Sequence, residues 1–447
     1  MRDRSQEIEV RRREFLRATA GFGVLGFSLP FASSLLASAA AEDAGAGGSS
    51  ATPTLVAIYL RGGMDALNVI VPHGDPRYYE IRPSIAVPAE DDEEGAGVIK
   101  TGKYFGLHPS LAPLMPHFEE GRMAAIMNVG SPHATRSHFD AQDFMEYAAP
   151  GLRTIKDGWL NRYLALTREK VRKAAAHPDG DLRALAMQGL LPRSLRGEHP
   201  VLAVPSDSVL DSAETLDLFE EIYGKDGAGD SGEMEGNTGD PGERSNDSVV
   251  ATGQVTLASL ERYRSIIREP AEQKDGVSYP PGALGVRLGR LARVLKAGAG
   301  LEVACVDVPG WDHHYNEGGN QGTLARMLDN LARSLAAFMT DLGPRLDSTV
   351  IMTMTEFGRT CRENGNYGTD HGHGGAMLVM GGGIEGGKIH GTWTGLTDAA
   401  LYESRDLPVT TDFRDVFAEI LLRHHGAKLP AEFFPGYRPK GMRGLFG

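Results

Sequence analysis

The sequence predicts an α/β fold with a doubly wound, mostly parallel sheet and helices on both faces. Short apolar runs rich in Val, Ile and Leu recur without strict polar alternation, as strands buried on both faces do. Patterns with apolar residues three and four apart lie between these runs and read as helices. The 57 glycines among 447 residues supply the many tight connections such a fold needs.

Taken in order, residues 1–41 read as a leader. Arg12 and Arg13 precede Phe15, Leu16 and Arg17, then an apolar stretch, then small residues suited to cleavage near Ala39 to Ala41. This pattern resembles a twin-arginine export signal and predicts a periplasmic or secreted protein. No later stretch reaches the ~20 apolar residues that span a bilayer. The α/β domain is expected over 52–447. "TLVAIYL" (54–60) and "RMAAIMNVG" (122–130) read as strands, separated by an acidic solvated loop at 89–98. "HPVLAV" (199–204) is the next strand. Residues 205–280 read as an insertion or cap, containing an almost apolar-free acidic stretch at 224–247. The strands "LEVACVDV" (301–308), "STVIMTMT" (348–355) and "AMLVMGGG" (376–383) follow. "TLARMLDNLARSLAAFMTDL" (323–342) and "DFRDVFAEILLRHHG" (412–426) are helical, the second closed by a glycine.

Hydrophobic residues at 41% and charged residues at 23% are ordinary for a globular chain. A formal charge of −13, with no basic stripe, argues against a nucleic-acid partner. It leaves room for a small anionic substrate, because local cations or metal ions can reverse the sign in a cleft. The two cysteines, Cys305 and Cys361, cannot make a thiolate metal site alone, and Cys305 sits in a strand-like run where a free buried thiol is the common state.

Polar residues gather just after the strands, where the chemistry of such folds collects. Asp65 follows the first strand. Arg136, Ser137 and His138 follow the second, with Ser137 placed to cap a helix and Asp140 completing a box-like pattern. Asp312, His313 and His314 follow "VACVDV"; Glu356 and Arg359 follow "VIMTMT"; Asp370, His371 and His373 precede the last strand. Carboxylates and imidazoles on one rim are a ligand set for a divalent ion, with zinc the first expectation and manganese, calcium or magnesium as alternatives. Asp65, Asp312, His314, Glu356, Asp370, His371 and His373 are the candidate ligands. Ser137, with His138 and Arg136, is the candidate catalytic group, and Arg359 and His313 the candidate substrate contacts. The glycines of "GTDHGHGG" are expected to let the backbone pass close to the ion. Each piece also has a plain reading: an Asp after a strand is often a turn residue, and Ser137 can be only a cap.

"YLRGGMDALN", "HATRSHFDAQ", "GWDHH", "TEFGRT", "GTDHGHGG" and "GGGIEGGKIHG" together resemble a large bacterial family of exported proteins, domain of unknown function 1501, over about residues 54–440. That family is similar in fold to the alkaline phosphatase and sulfatase superfamily. The resemblance implies a two-metal centre with Asp65 as the strand-one metal Asp, Ser137 at the nucleophile position, and Asp312 with His314 as a ligand pair. It places Glu356 at the later Asp-His pair and His371 or His373 as the final histidine. The chain departs from the phosphatase pattern where Phe357 follows Glu356 in place of a histidine. It also has no Cys at the nucleophile position, which disfavours sulfatase chemistry by formylglycine. The implied activity is metal-dependent hydrolysis of phosphate or sulfate esters, on a small anionic ester or a sulfated or phosphorylated polymer. A catalytically inactive binding or structural protein of the envelope, and a phosphoryl transferase or mutase, are the alternatives.

Overall fold

The computed structural model describes residues 51–91, 96–174, 182–204, 258–269, 274, 276–441 and 444–447. The expected leader, 1–41, and the acidic stretch 224–247 lie outside the described residues.

Twelve strands occur among the described residues. In chain order they are β1 (Thr54–Arg61), β2 (Ile70–Val71), β3 (Ile99–Lys100), β4 (Gly106–Leu107), β5 (Met123–Gly130) and β6 (Ala184–Ala186). Then come β7 (Leu202–Ala203), β8 (Val303–Pro309), β9 (Thr349–Met354), β10 (Gly375–Gly381), β11 (Lys388–His390) and β12 (Thr411–Asp412). The strands β2, β4 and β3 form a small separate sheet. The main sheet runs β11-β5-β10-β9-β1-β8-β6-β7, with β12 also on β5. At its centre β1 pairs in parallel with β8 and β9, Ile58 standing opposite Val306 and Thr353. Within the main sheet only β10 opposes its neighbours, β5 and β9, and the remaining pairings there are parallel.

The apolar runs lack alternation because both faces of the sheet are covered. In β1, Val56, Ile58 and Leu60 enter one core while Leu55, Ala57 and Tyr59 enter the other. The helices used below are α1 (His138–Glu146), α2 (Trp159–Ala174), α3 (Ala283–Lys296), α4 (Thr323–Leu342) and α5 (Phe413–Glu419). The first core is closed by α3 and α4, whose Leu288, Leu291, Leu328, Leu331 and Leu335 are buried. Each such leucine contributes about 1.5–3 kcal/mol by leaving water. The second is closed by α2 and α5, where Trp159 stacks on Phe417 at 4.0 Å.

The expected fold class is borne out, and α4 occupies the residues read as its helix. Within the segment expected as an insertion, residues 258–268 form a helix whose Leu260, Tyr263 and Ile266 join the first core. Cys305 and Cys361 are both buried free thiols. Ser137 stands at the N-cap position of α1, but its side chain makes no capping bond. Asp140, the partner expected for it, instead accepts from Arg153 at 2.8 Å.

Topology explains why the polar clusters meet. The loops after β1, β5, β8 and β9 leave the sheet at one rim, and the antiparallel β10 begins there, so residues 370–373 reach the same rim by approaching it.

Candidate metal centre

Among the described residues, His138, Asp312 and His371 bring ligand atoms within 4.8 Å of one another, and His314 stands against Asp312 and His371. His138 opens α1, Asp312 and His314 follow β8, and His371 lies on the approach to β10. His314 Nε2 and His371 Nε2 are 3.0 Å apart, and each lies 3.1 Å from Asp312 Oδ1. His138 Nε2 is 3.3 Å from Asp312 Oδ2.

The opposite edge of each imidazole decides what these nitrogens carry. His371 Nδ1 lies 2.8 Å from the Arg136 carbonyl oxygen, His314 Nδ1 3.1 Å from Asp370 Oδ1, and His138 Nδ1 2.8 Å from Glu356 Oε1. A carbonyl or carboxylate only accepts, so hydrogen-bond logic assigns the proton of all three neutral rings to Nδ1. The Nε2 lone pairs of His314 and His371 then face each other and a carboxylate with no proton between them, while His138, raised towards its charged form, turns Nε2 on the same carboxylate. Such a set repels itself unless a cation sits between, and rings fixed through Nδ1 by oxygen acceptors are the usual support of metal-ligating histidines. The separations among Asp312, His314 and His371, and between His138 and Asp312, are close to the roughly 3.3 Å between tetrahedral zinc ligands at about 2.0–2.1 Å, whereas His314 falls outside the group that His138 forms with Asp312 and His371.

The supporting groups are ionised where the set requires it. Burial works to raise Asp312, but the hydrogen bond and charge of Arg359, with the imidazoles of His314 and His138, hold it below the usual carboxylate range. Glu356 is buried, yet hydrogen bonds from His138 and Gln142 keep it low. His138 is raised, chiefly by its bond to Glu356 and against partial burial, whereas burial lowers His371. The side chains of His138, Asp312, His314 and His371 remain 27%, 42%, 31% and 23% exposed, so water or a ligand can reach the centre.

Close backbone packing sets this geometry. Gly358 N donates to the His373 carbonyl and Gly372 N to the Gly358 carbonyl, and Arg359 bridges to His371. A Cβ at Gly372 would fall 2.4 Å from the Arg359 backbone. The glycines of "GTDHGHGG" permit backbone to meet backbone, Gly368 against His313 and His314, Gly372 against Arg359 and Gly374 against Leu407 and Pro408. Gly62, at φ +128°, does the same between the loops after β1 and β8.

Other sequence candidates fall elsewhere. Asp65 is buried, and both its oxygens are taken by the Arg82 guanidinium, leaving none for an ion. Glu356 and Asp370 stand behind the ligands, accepting from imidazole Nδ1 atoms; Glu356 Oε1 also accepts from Gly62 N and Gln142 Nε2. His373 stacks on Tyr402 at 4.3 Å, away from the cluster. Arg359 is buried and bonded to the carbonyls of Gly62, Gly63, Trp311 and Thr369 and to Asp312. His313 is buried with Nε2 3.3 Å from Met327 Sδ. Arg136 is held by Asp406 and Glu403. Neither arginine nor His313 is free to grip a substrate. Phe357 packs its ring 4.9 Å from His138 and 4.8 Å from His371, a wall where the phosphatase pattern has a ligand.

Ser137 immediately precedes His138 and is exposed. Sequence reading had His138 as a catalytic partner rather than a ligand and missed Gln142. Their four-residue spacing on α1, with both side chains on Glu356, was the available signal.

Comparison with known proteins gives a family match over part of the chain. Residues 260–429 match the model described as "Protein of unknown function (DUF1501)". The resemblance drawn from the motifs is borne out there. The DUF1501 stretch contains Asp312, His314, Glu356, Asp370 and His371, while His138 lies before it. No curated protein matches the chain. Among solved structures the chain is similar to i-CgsB in complex with a neocarrahexaose, at 11% identity and TM-score 0.37, covering 86% of this chain and 74% of that one. It is also similar to the PsFucS1 sulfatase from Pseudoalteromonas sp., at 11% identity and TM-score 0.34, covering 85% and 69%. A third is the lipoteichoic acid synthase LtaP from Listeria monocytogenes, at 9% identity and TM-score 0.30, covering 75% and 67%.

Proposed function

We propose that this protein is an exported metal-dependent hydrolase of phosphate or sulfate esters, built around one divalent ion held by His138, Asp312, His314 and His371. The observation that carries the reading is the gathering of His138, Asp312 and His371 within 4.8 Å of one another at a solvent-open point, with His314 set against Asp312 and His371. Nitrogen donors favour zinc over manganese, calcium or magnesium, which prefer oxygen. When bound, the ion supplies Lewis-acid polarisation of an ester oxygen and lowers the pKa of a nearby hydroxyl.

The chain's own residues do the rest. Glu356, Asp370 and the Arg136 carbonyl hold the three rings in one tautomer. Ser137, uncommitted to capping and next to His138, offers its hydroxyl at the N-terminus of α1. Its Oγ forms the bond to phosphorus or sulfur as the alcohol leaves, and water then releases the anion. Export rests on the twin-arginine pattern at Arg12 and Arg13.

A second reading is a metal-binding envelope protein without turnover. It is favoured by Arg136 and Arg359 being spent on internal partners. Elemental mass spectrometry of protein purified without chelators separates these from a metal-free molecule. About one equivalent of metal is expected, lost in an Asp312→Ala, His371→Ala variant; a folded wild type without metal sinks both readings. A panel of phosphate and sulfate esters then decides between them. The hydrolase reading expects metal-dependent turnover that falls at least about 100-fold in Ser137→Ala; metal without turnover supports the second.

A further inference from the structure

A cavity of about 240 Å³ opens beside the metal centre, lined in part by Arg77, Arg362, Asp370 and Arg405. At about 30 Å³ per water this is room for a tetrahedral oxyanion and part of what carries it. Asp370 forms the partition: it lines the cavity and its Oδ1 accepts from the ligand His314. The cavity wall is the same paired strip that positions His371, with Thr360 N donating to the Asp370 carbonyl at 2.9 Å.

The charges around this cavity are not equally engaged. Its acids are committed: Asp398 pairs with Arg77 at 2.6 Å, Glu363 accepts from Ser84 N and Ile85 N, and Asp370 accepts from Asn364 as well as His314. Arg77 also donates to the Leu396 carbonyl at 2.7 Å. By contrast Arg362 is exposed, and among the described residues its side chain makes no hydrogen bond or ion pair. Arg405 gives Nη2 to the His371 carbonyl at 2.9 Å, keeps Nη1 3.7 Å from Asp406, and is 40% exposed. What remains unspent in the cavity is therefore guanidinium donors, which suit the oxygens of a phosphate or sulfate.

We propose that this cavity is an anion subsite in which Arg362 and Arg405 bind a phosphate or sulfate group other than the one presented to the metal centre. Taken with the hydrolase reading, on which this last step rests, the substrate carries at least two such groups on one framework. The subsite also supplies the cationic grip that Arg136 and Arg359 cannot give.

Titration calorimetry with inorganic phosphate, and separately inorganic sulfate, tests the subsite without the ion. Protein stripped of metal and dialysed is expected to bind one of these anions. Arg362→Ala should weaken that binding about tenfold or more, while Arg362→Lys retains part of it. Arg326→Ala, an exposed arginine on α4, serves as the charge control and should leave it unchanged. No anion binding by the stripped wild type, or equal binding by Arg362→Ala, overturns the subsite. A second arm uses metal-loaded protein. Fructose 1,6-bisphosphate should bind about tenfold tighter than fructose 6-phosphate, or a disulfated disaccharide tighter than its monosulfated form, which tells the two anions apart. That advantage should vanish in Arg362→Ala. Equal affinity for singly and doubly charged probes overturns the shared-substrate step. Absence of metal from the wild type would instead strike the hydrolase reading and leave the first arm interpretable.

Discussion

His108 shows, by contrast, what makes the three site histidines different. Its Nδ1 accepts from Ser110 N at 3.0 Å and its Nε2 donates to the Gly319 carbonyl at 2.9 Å, so neither nitrogen is left for an ion. The ring must be neutral to keep both bonds. Burial pushes it down to about 4, against the pull of the Gly319 bond and Asp65. In the unfolded chain an imidazole titrates near pH 6.5. The folded value being the lower, this contribution to stability is complete above about pH 6.5 and is lost as pH falls towards 4. The loss reaches about 3 kcal/mol from this one group. Thermal melts of wild type and His108→Gln between pH 7 and pH 4.5 should show a shallower decline in the variant; parallel curves would remove His108 as a source of acid lability. Nothing in the sequence separated His108 from His138, because the distinction lies in which nitrogen meets an acceptor. The same holds for Asp65. Its position after β1 was legible, but its partner Arg82 comes from another segment, and the buried ion pair converts a candidate ligand into a structural group.

At the scale of elements, β1, β5, β8, β9 and β10 were legible because burial on both faces leaves long apolar runs. The one-rim gathering of their loops followed from that reading. The direction of β10 was not legible, since an apolar run has no polarity. The two- and three-residue strands β6, β11 and β12 were missed because their pairing is supplied by neighbours rather than by their own composition. The strip joining 358–360 to 370–374 is the element on which the centre depends, and its glycines are there for proximity. Gly372→Ala would set a Cβ 2.4 Å from the Arg359 backbone, which cannot swing aside as a side chain can. It should destabilise the protein by about 1–3 kcal/mol, as overpacking does, and lower its metal content. Gly365→Ala in the same loop, with nothing within 4 Å of its added carbon, should do neither. Elemental analysis and melting of the two variants side by side check this, and equal behaviour would show that the strip does not position His371.

The proposed metal centre would also act on the molecule as a whole, because its candidate ligands come from parts of the sheet that are far apart. His138 follows β5, Asp312 and His314 follow β8, and His371 precedes β10, while β10, β9 and β1 lie between β5 and β8 in the sheet. One ion at the proposed centre would therefore tie loops from both halves of the sheet, and the unfolded chain, with His138 and Asp312 174 positions apart, offers no comparable site. An ion that binds the folded state alone stabilises it by RT ln(1 + [M]/Kd), about 4 kcal/mol at a thousandfold excess over Kd. For a chain of this size that is a rise of several degrees in Tm. Chelation should lower the Tm of wild type by that amount, and returning zinc should restore it. His371→Ala should melt near the chelated wild type and respond to neither treatment. Were chelation to strip the metal, as elemental analysis reads it, and leave the wild-type Tm unmoved, the ion would not sit at the junction of the sheet's two halves.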